Sequence, residues 1–371
     1  MMNAIKHNFG AGPCILPEPV LNRAAEAVRK WDPAGLSILE ISHRSPAFEE
    51  VVAQTERLVR DLLEVPEDYC VLFLQGGASL QFCMVAMNFL QGSKKAAAYL
   101  DAGYFGQKAI KEAQLFGQVN VIASGKEKSY TSLPKPYTIP EDAAYFHYTS
   151  NNTIEGTEMF SFPQTKVPVI CDMSSDIFSR RIDVSKFSLI YAGAQKNTGP
   201  AGMTLVIARN SFLDSVKHQL PAMLDYRIYR DNQSMYNTPP VFSIYTAMLN
   251  LHWLKSKGGI KFIALENQAK AQLLYDEIDR NPLFYGTAIK EDRSLMNVTF
   301  RMHDKGSENG FLNYAEQRGM VGIRGYRAVG GFRASLYNGL PYSSVEALVK
   351  CMADYASMKM QTLGKHIETP Y

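Results

Sequence analysis

The segment YAGAQKNTGPAG, residues 191–202, sets Lys196 in a loop of small residues directly after an apolar run. Packing does not need a lysine there, and small neighbours leave room for a flat ligand. Taken alone, such a lysine is most often a solvated loop residue. A second feature changes the weighing. The segment ICDMSSDIFSR places Asp172 at the end of the apolar run 167–171. On its own Asp172 would serve as an N-cap for the following turn. A carboxylate and a lysine at the ends of successive strands can instead converge on one crevice. That pair suits pyridoxal 5′-phosphate (PLP). The lysine forms a Schiff base with the cofactor aldehyde, and the carboxylate keeps the pyridine nitrogen protonated so that the ring accepts electrons.

Two further segments fit such a ligand. Gly76–Gly77–Ala78–Ser79 joins an apolar run to a helical one. Backbone N–H groups at a helix start point outward with partial positive charge and receive phosphate, and glycines let the backbone come close. Two glycines at such a turn are often turn chemistry alone, and the segment is neither a Walker A loop nor GxGxxG. Residues 322–333 carry Arg324, Arg327 and Arg333 among Gly322, Gly325, Gly330 and Gly331. Arginine grips carboxylate and phosphate in bidentate fashion. Without other context these would be solvated arginines of a loop.

The elements that must position these residues alternate in type. Residues 17–31 place Val20, Leu21, Ala24, Ala27, Val28 and Trp31 on one helical face. A helix over Pro46–Leu63 has Ser45 as N-cap and Pro46 at its first position, with Val51, Val52, Leu58, Val59, Leu62 and Leu63 as its apolar set. Tyr69–Leu74 reads as a buried strand, followed by a helix after QGGAS. Further strands are expected at Ala96–Leu100, Val119–Ala123, Tyr145–Tyr148, Val167–Cys171, Phe187–Tyr191 and Thr204–Ala208. A helix over Tyr104–Phe116 should stop at Gly117. This alternation predicts an α/β fold with a mainly parallel sheet flanked by helices, whose ligands bind beyond the carboxyl ends of the strands.

A long helix near 241–256 should end at Lys257–Gly258–Gly259. The remainder mixes helices with strands such as Asn297–Arg301, and its last helix has Ser343 and Glu346 in capping-box spacing. The expected division is a large domain over 17–257 and a smaller α+β domain formed by 1–16 with 258–371.

Composition narrows the class. The chain has 371 residues, 46% hydrophobic and 20% charged, which excludes disorder and fibrous repeats. Such a length suits two to three domains and a sizeable core. With 39 Lys plus Arg against 36 Asp plus Glu, the net charge of +3 points to neither nucleic acid nor an anionic membrane. No run approaches ~18 apolar residues, and the N-terminus lacks the apolar stretch of a signal peptide. Cys14, Cys70, Cys83, Cys171 and Cys351 form no CxxC pair, and their odd number suits reduced thiols in the cytoplasm. His7, His147, His218, His252 and His303 show no metal-ligand spacing, so no metal is expected.

The motifs in their order resemble one family. They are GP at 12–13, SHRS at 42–45, QGGAS at 75–79, DAGYF at 101–105, NNTIEG at 151–156, CDMSSD at 171–176, YAGAQKNTGPAG at 191–202, NTPP at 237–240 and VGGFRASLYN at 329–338. Across nearly the whole chain they look like the phosphoserine aminotransferases, PLP-dependent transferases of fold type I. The resemblance implies that Lys196 carries the cofactor and Asp172 pairs with its ring nitrogen. It implies that Phe105 stacks on the ring, where the family usually has Trp, and that Thr153 contacts the ring oxygen. Ala78, Ser79 and Gln195 would bind the cofactor phosphate. Asn237 and Thr238 would reach that phosphate from a second subunit, which implies a homodimer with shared sites. Arg333 matches the anchor of the substrate α-carboxylate, and His43 and Arg44 match the residues holding its far anionic end. Arg327 is a weaker candidate for that end.

The implied half-reactions convert glutamate to 2-oxoglutarate and 3-phosphohydroxypyruvate to phosphoserine, in serine biosynthesis. The resemblance also allows 4-phosphohydroxythreonine, a step towards pyridoxine. Two departures touch the substrate phosphate: some members have Arg where Ser79 stands, and many have His in place of Tyr326. Rival readings are an alanine–glyoxylate aminotransferase, a cysteine desulfurase, and a non-catalytic protein of the same fold. The desulfurase needs a mobile loop cysteine, whereas Cys351 lies in a helical pattern, and the intact Lys196–Asp172 pair weighs against a non-catalytic role.

Overall fold

A computed structural model describes residues 6–31, 35–327 and 329–367, with 362–367 as helix backbone only. Residues 1–5, 32–34, 328 and 368–371, which fall inside the two expected domains, lie outside the described residues.

The central sheet has seven strands: β1 (Tyr69–Leu74), β2 (Ala97–Asp101), β3 (Val119–Ser124), β4 (Phe146–Thr149), β5 (Val169–Asp172), β6 (Leu189–Gly193) and β7 (Thr204–Arg209). Their order is β1-β7-β6-β5-β4-β2-β3, and only β7 runs antiparallel to its neighbours. Alternate residues face opposite sides, as the two-residue repeat of a strand requires. Val71 and Phe73 pack with helices Pro46–Leu63 and Val241–Ser256, while Leu72 and Leu74 pack with helices Gly77–Phe89 and Tyr104–Ala113. Both faces are thus covered by helices, the condition under which a parallel sheet is stable.

Tyr69–Leu74 is as expected, and the other strands of this sheet end one or two residues later than their apolar runs suggest. Ala96–Leu100 becomes Ala97–Asp101, Tyr145–Tyr148 becomes Phe146–Thr149, Val167–Cys171 becomes Val169–Asp172, and Phe187–Tyr191 becomes Leu189–Gly193. Hydropathy stops at the first polar residue, but backbone pairing continues through Thr149, opposite Asp172. The helix Pro46–Leu63 is as expected, and Ser45 accepts a hydrogen bond from Phe48 N at 3.3 Å. The first helix, Glu18–Arg29, buries Val20, Ala24 and Ala27 but leaves Leu21 and Val28 exposed. The helix from Tyr104 ends at Ala113. Gly117 is no left-handed stop; a side chain there would collide with Leu90. The last helix begins at Tyr342, so Ser343 lies inside its first turn.

A second core lies under a three-stranded antiparallel sheet, Phe284–Gly286, Asn297–Met302 and Phe332–Ser335. Val298, Phe300, Phe332 and Ala334 pack there against Leu274 and Ile278 of helix Gly259–Arg280 and Leu348 and Met352 of the last helix. The N-terminal tail joins this core. His7–Asn8 pairs parallel with Met320–Val321, and Phe9 is fully buried. Helix Gly259–Arg280 changes partners along its length: Ile260 and Ile263 belong to the first core, Ala271 and Leu274 to the second.

Candidate active site

The carboxyl ends of β4, β5 and β6 open into a cavity of about 430 Å³. It is lined by Ala78, Ser79, Phe105, Thr153, Asp172, Gln195, Lys196 and Arg333, all brought together from the sequence candidates. A larger hollow of about 940 Å³ lies between Asp61–Glu64 and Gly258–Gln268. It contains no facing lysine–carboxylate pair at strand ends, so size does not locate the chemistry.

Lys196 is almost fully buried, and its Nζ donates to Thr153 Oγ1 at 2.8 Å. Burial lowers its pKa to about 8; Asp172 opposes the shift and Arg333 reinforces it. Burial also raises the pKa of Asp172, while the Ser174 N–H at 2.9 Å from Oδ1 and the charge of Lys196 pull it back. Arg333 is under-partnered. Its Nη1 donates to Thr153 O at 3.3 Å, but its buried Nε has no partner, and burial lowers its pKa. A half-buried guanidinium with an unused, buried donor suits an anion.

The turn into helix Gly77–Phe89 supplies a cradle. Gly76 is left-handed, with φ 88°, and a side chain there would strike Leu80. No side chain caps this helix start, which leaves its first N–H groups without intrahelical partners. A Cβ at Gly77 would meet nothing within 4 Å, so space for a phosphate lies over the turn. The Lys196 Nζ sits 5.5 Å from the centre of the Phe105 ring. Thr149 Oγ1 is buried, unpaired and on the cavity wall. An anion cradle, a lysine of depressed basicity, a buried carboxylate and an aromatic plate fit PLP.

Five candidates do not line this cavity: His43, Arg44, Asn237, Thr238 and Arg327. His43 is half-buried with an unpaired Nε2, and Arg44 and Arg327 are exposed. Gln75 Nε2 donates to Thr238 O at 3.0 Å, which holds NTPP beside the phosphate turn but outside the cavity. Sequence reasoning missed Ala11, Gly12, Thr149, Asn151 and Ser175 as cavity residues. The signal for Thr149 and Asn151 was their place around the end of β4. Cys14 also touches the site, donating its Sγ–H to Lys196 O at 2.7 Å, and its burial pushes the thiol up to about 12.

A lysine–carboxylate pair over a mainly parallel sheet defines a PLP-dependent transferase of fold type I. The aminotransferase class-V family model matches residues 6–348. The phosphoserine aminotransferase of Bacteroides thetaiotaomicron is 54% identical over 355 residues, covering 95% of this chain and 99% of that protein. The solved phosphoserine aminotransferase of Bacillus circulans subsp. alkalophilus is 44% identical with TM-score 0.93, covering 96% of this chain and 99% of that one. A PLP-bound phosphoserine aminotransferase from Trichomonas vaginalis is 39% identical with TM-score 0.90, covering 94% and 100%. The chain belongs to the class-V aminotransferases, and within them to the phosphoserine aminotransferase family. It is a PLP-dependent transaminase.

Proposed function

We propose that the chain transfers the amino group of glutamate to 3-phosphohydroxypyruvate, giving 2-oxoglutarate and phosphoserine, reversibly. The observation that carries this is the meeting of Lys196, Asp172 and an under-partnered Arg333 in one cavity. PLP, when bound, supplies an aldehyde carbon and an electron-withdrawing ring. Lys196 Nζ holds the cofactor and, once free, moves a proton from the substrate α-carbon; its lowered pKa keeps a useful share of neutral amine near neutral pH. Asp172 stabilises positive charge at the ring nitrogen. Thr153 positions Lys196 Nζ and would help hold the cofactor, and Phe105, beside Lys196 Nζ, would pack against it. Ala78, Ser79 and Gln195, with the N–H groups of the helix start, take the cofactor phosphate. Arg333 binds the α-carboxylate that both substrates share.

His43, Arg44 and Arg327 take the far anion, and Asn237 and Thr238 complete the cofactor phosphate site of a partner in a homodimer. The exposed Leu36 and Leu39 before His43, and Tyr236 beside Asn237, favour covered surface at those segments. The separate cores favour a large domain over 17–257 and a small one from 1–16 and 258–371. Five free cysteines favour the cytoplasm. The test is direct: holoenzyme given glutamate and 3-phosphohydroxypyruvate should release phosphoserine, and hydroxypyruvate should be a poor substitute. Equal rates would remove the far-anion roles, and no product would overturn the reading.

A further inference from the structure

The hairpin that carries Thr153 pairs Asn151–Asn152 with Thr157–Glu158. Its upper side receives Lys196 Nζ and Arg333 Nη1, both on Thr153. Its underside rests on the small sheet. Thr299 Oγ1 donates to Glu155 O at 3.0 Å, Ser294 N donates to Gly156 O at 2.9 Å, and Leu295 N donates to Glu158 Oε2 at 2.9 Å. Gly156 is left-handed, and any side chain there would collide with Thr299.

Fully buried side chains join the two bodies at this hairpin. Asn151 Nδ2 donates to Asn297 Oδ1 at 2.7 Å and to Ser175 Oγ at 2.8 Å. Asn297 Nδ2 donates to Ser335 Oγ at 3.0 Å and to Tyr337 OH at 3.2 Å. The Tyr337 hydroxyl in turn donates to the carbonyl of Ala11, a cavity-wall residue, at 3.0 Å. Ser294 Oγ donates to Asn151 Oδ1. Asn297 stands opposite Ser335 in the strand pair, and Thr299 stands opposite Arg333. The strand bearing Arg333 is therefore registered against Asn297, and Asn297 is locked to the hairpin bearing Thr153.

We propose that Asn297, acting through Asn151, is the positioning residue that sets Arg333 relative to Lys196. This rests on the reading of Arg333 as the α-carboxylate anchor. The pair has a direction. At Asn151→Asp the new oxygen would face the acceptor Asn297 Oδ1. At Asn297→Asp the new oxygen would face the Ser335 hydroxyl, which can turn to donate while Tyr337 keeps its bond to Ala11 O. Two substitutions of equal size and charge thus have unequal consequences. A role in packing alone gives no such asymmetry in substrate affinity.

The experiment measures KM and kcat for glutamate and phosphoserine on N151D, N297D, N297A, R333K and the N297A/R333K double variant, each with its visible cofactor absorbance. N151D and N297A should raise KM about tenfold with absorbance retained and kcat little changed, N297D less than N151D. The double variant should lose no more than R333K alone, since both act on one contact. If N297A does not fold, N297S takes its place in the cycle. A lowered melting temperature with unchanged KM, equal effects of the two Asp variants, or multiplied losses in the double variant would overturn the inference. Unchanged KM in R333K would instead remove the anchor reading, and the inference with it.

Discussion

The two ends of the proposed substrate site are built differently. At the reacting end, Lys196, Asp172, Thr153 and Arg333 come from two cores of one chain and share one cavity. At the far-anion end, Arg44 and Arg327 are exposed, and His43 stands with an unpaired nitrogen away from that cavity. In the proposed reading amino transfer rests on the first region, where Lys196 and Arg333 both bond to Thr153 within the chain. In the same reading, choosing a phosphorylated substrate rests on the second, whose candidates stand outside the cavity. The comparison separates chemistry from selection, and each can be damaged alone.

Lys196→Ala should have the largest effect, abolishing transamination by several orders of magnitude while the fold persists. Turnover near that of the parent protein would end the assignment. Asp172→Asn should lower kcat by about 10²–10³ for phosphorylated and plain substrates alike, because charge stabilisation is lost at the reacting end only. A loss confined to phosphorylated substrates would blur the two regions. His43→Ala with Arg44→Ala should raise KM for phosphoserine by about 10–100-fold and leave serine nearly unaffected. A parallel loss for serine would move those residues to the reacting end.

Smaller effects sharpen the same division. Uptake of PLP by the apoenzyme needs the neutral amine of Lys196. Its lowered pKa puts the neutral form in the majority above pH about 8. The uptake rate should therefore rise with pH up to about 8 and level there; a rise continuing towards the ordinary lysine range would show an unperturbed amine. Tyr326→Phe removes a 3.3 Å contact between the hydroxyls of Tyr326 and Tyr104 at the cavity mouth. Both tyrosines are half-buried, so kinetic constants should change less than about threefold.

The same contrast governs how much was legible in the sequence. Lys196 and Asp172 stand at the ends of apolar runs, so the strand pattern alone brings them to one sheet edge. Helix Pro46–Leu63 announced itself through Ser45 and Pro46 at its start. Periodicity reports burial and carries no record of pairing. It could not show that Asn151 meets Asn297, or that Thr149 stands opposite Asp172. It also placed Leu21 and Val28 on a buried face that the described residues leave exposed. Arg333 was recognisable by its motif, since a glycine-rich segment does not reveal which of three arginines turns inward. His43 and Arg44 were recognisable only in that way, because neither lines the cavity formed by this chain.

The most direct measurement is the visible spectrum of the holoenzyme titrated in parallel with L-phosphoserine and L-serine. The absorbance of the bound cofactor should respond to phosphoserine at far lower concentration than to serine. That result would unite a cofactor on Lys196 with a site that reads the far phosphate. A cofactor band indifferent to phosphoserine, or equally sensitive to both amino acids, would contradict the account.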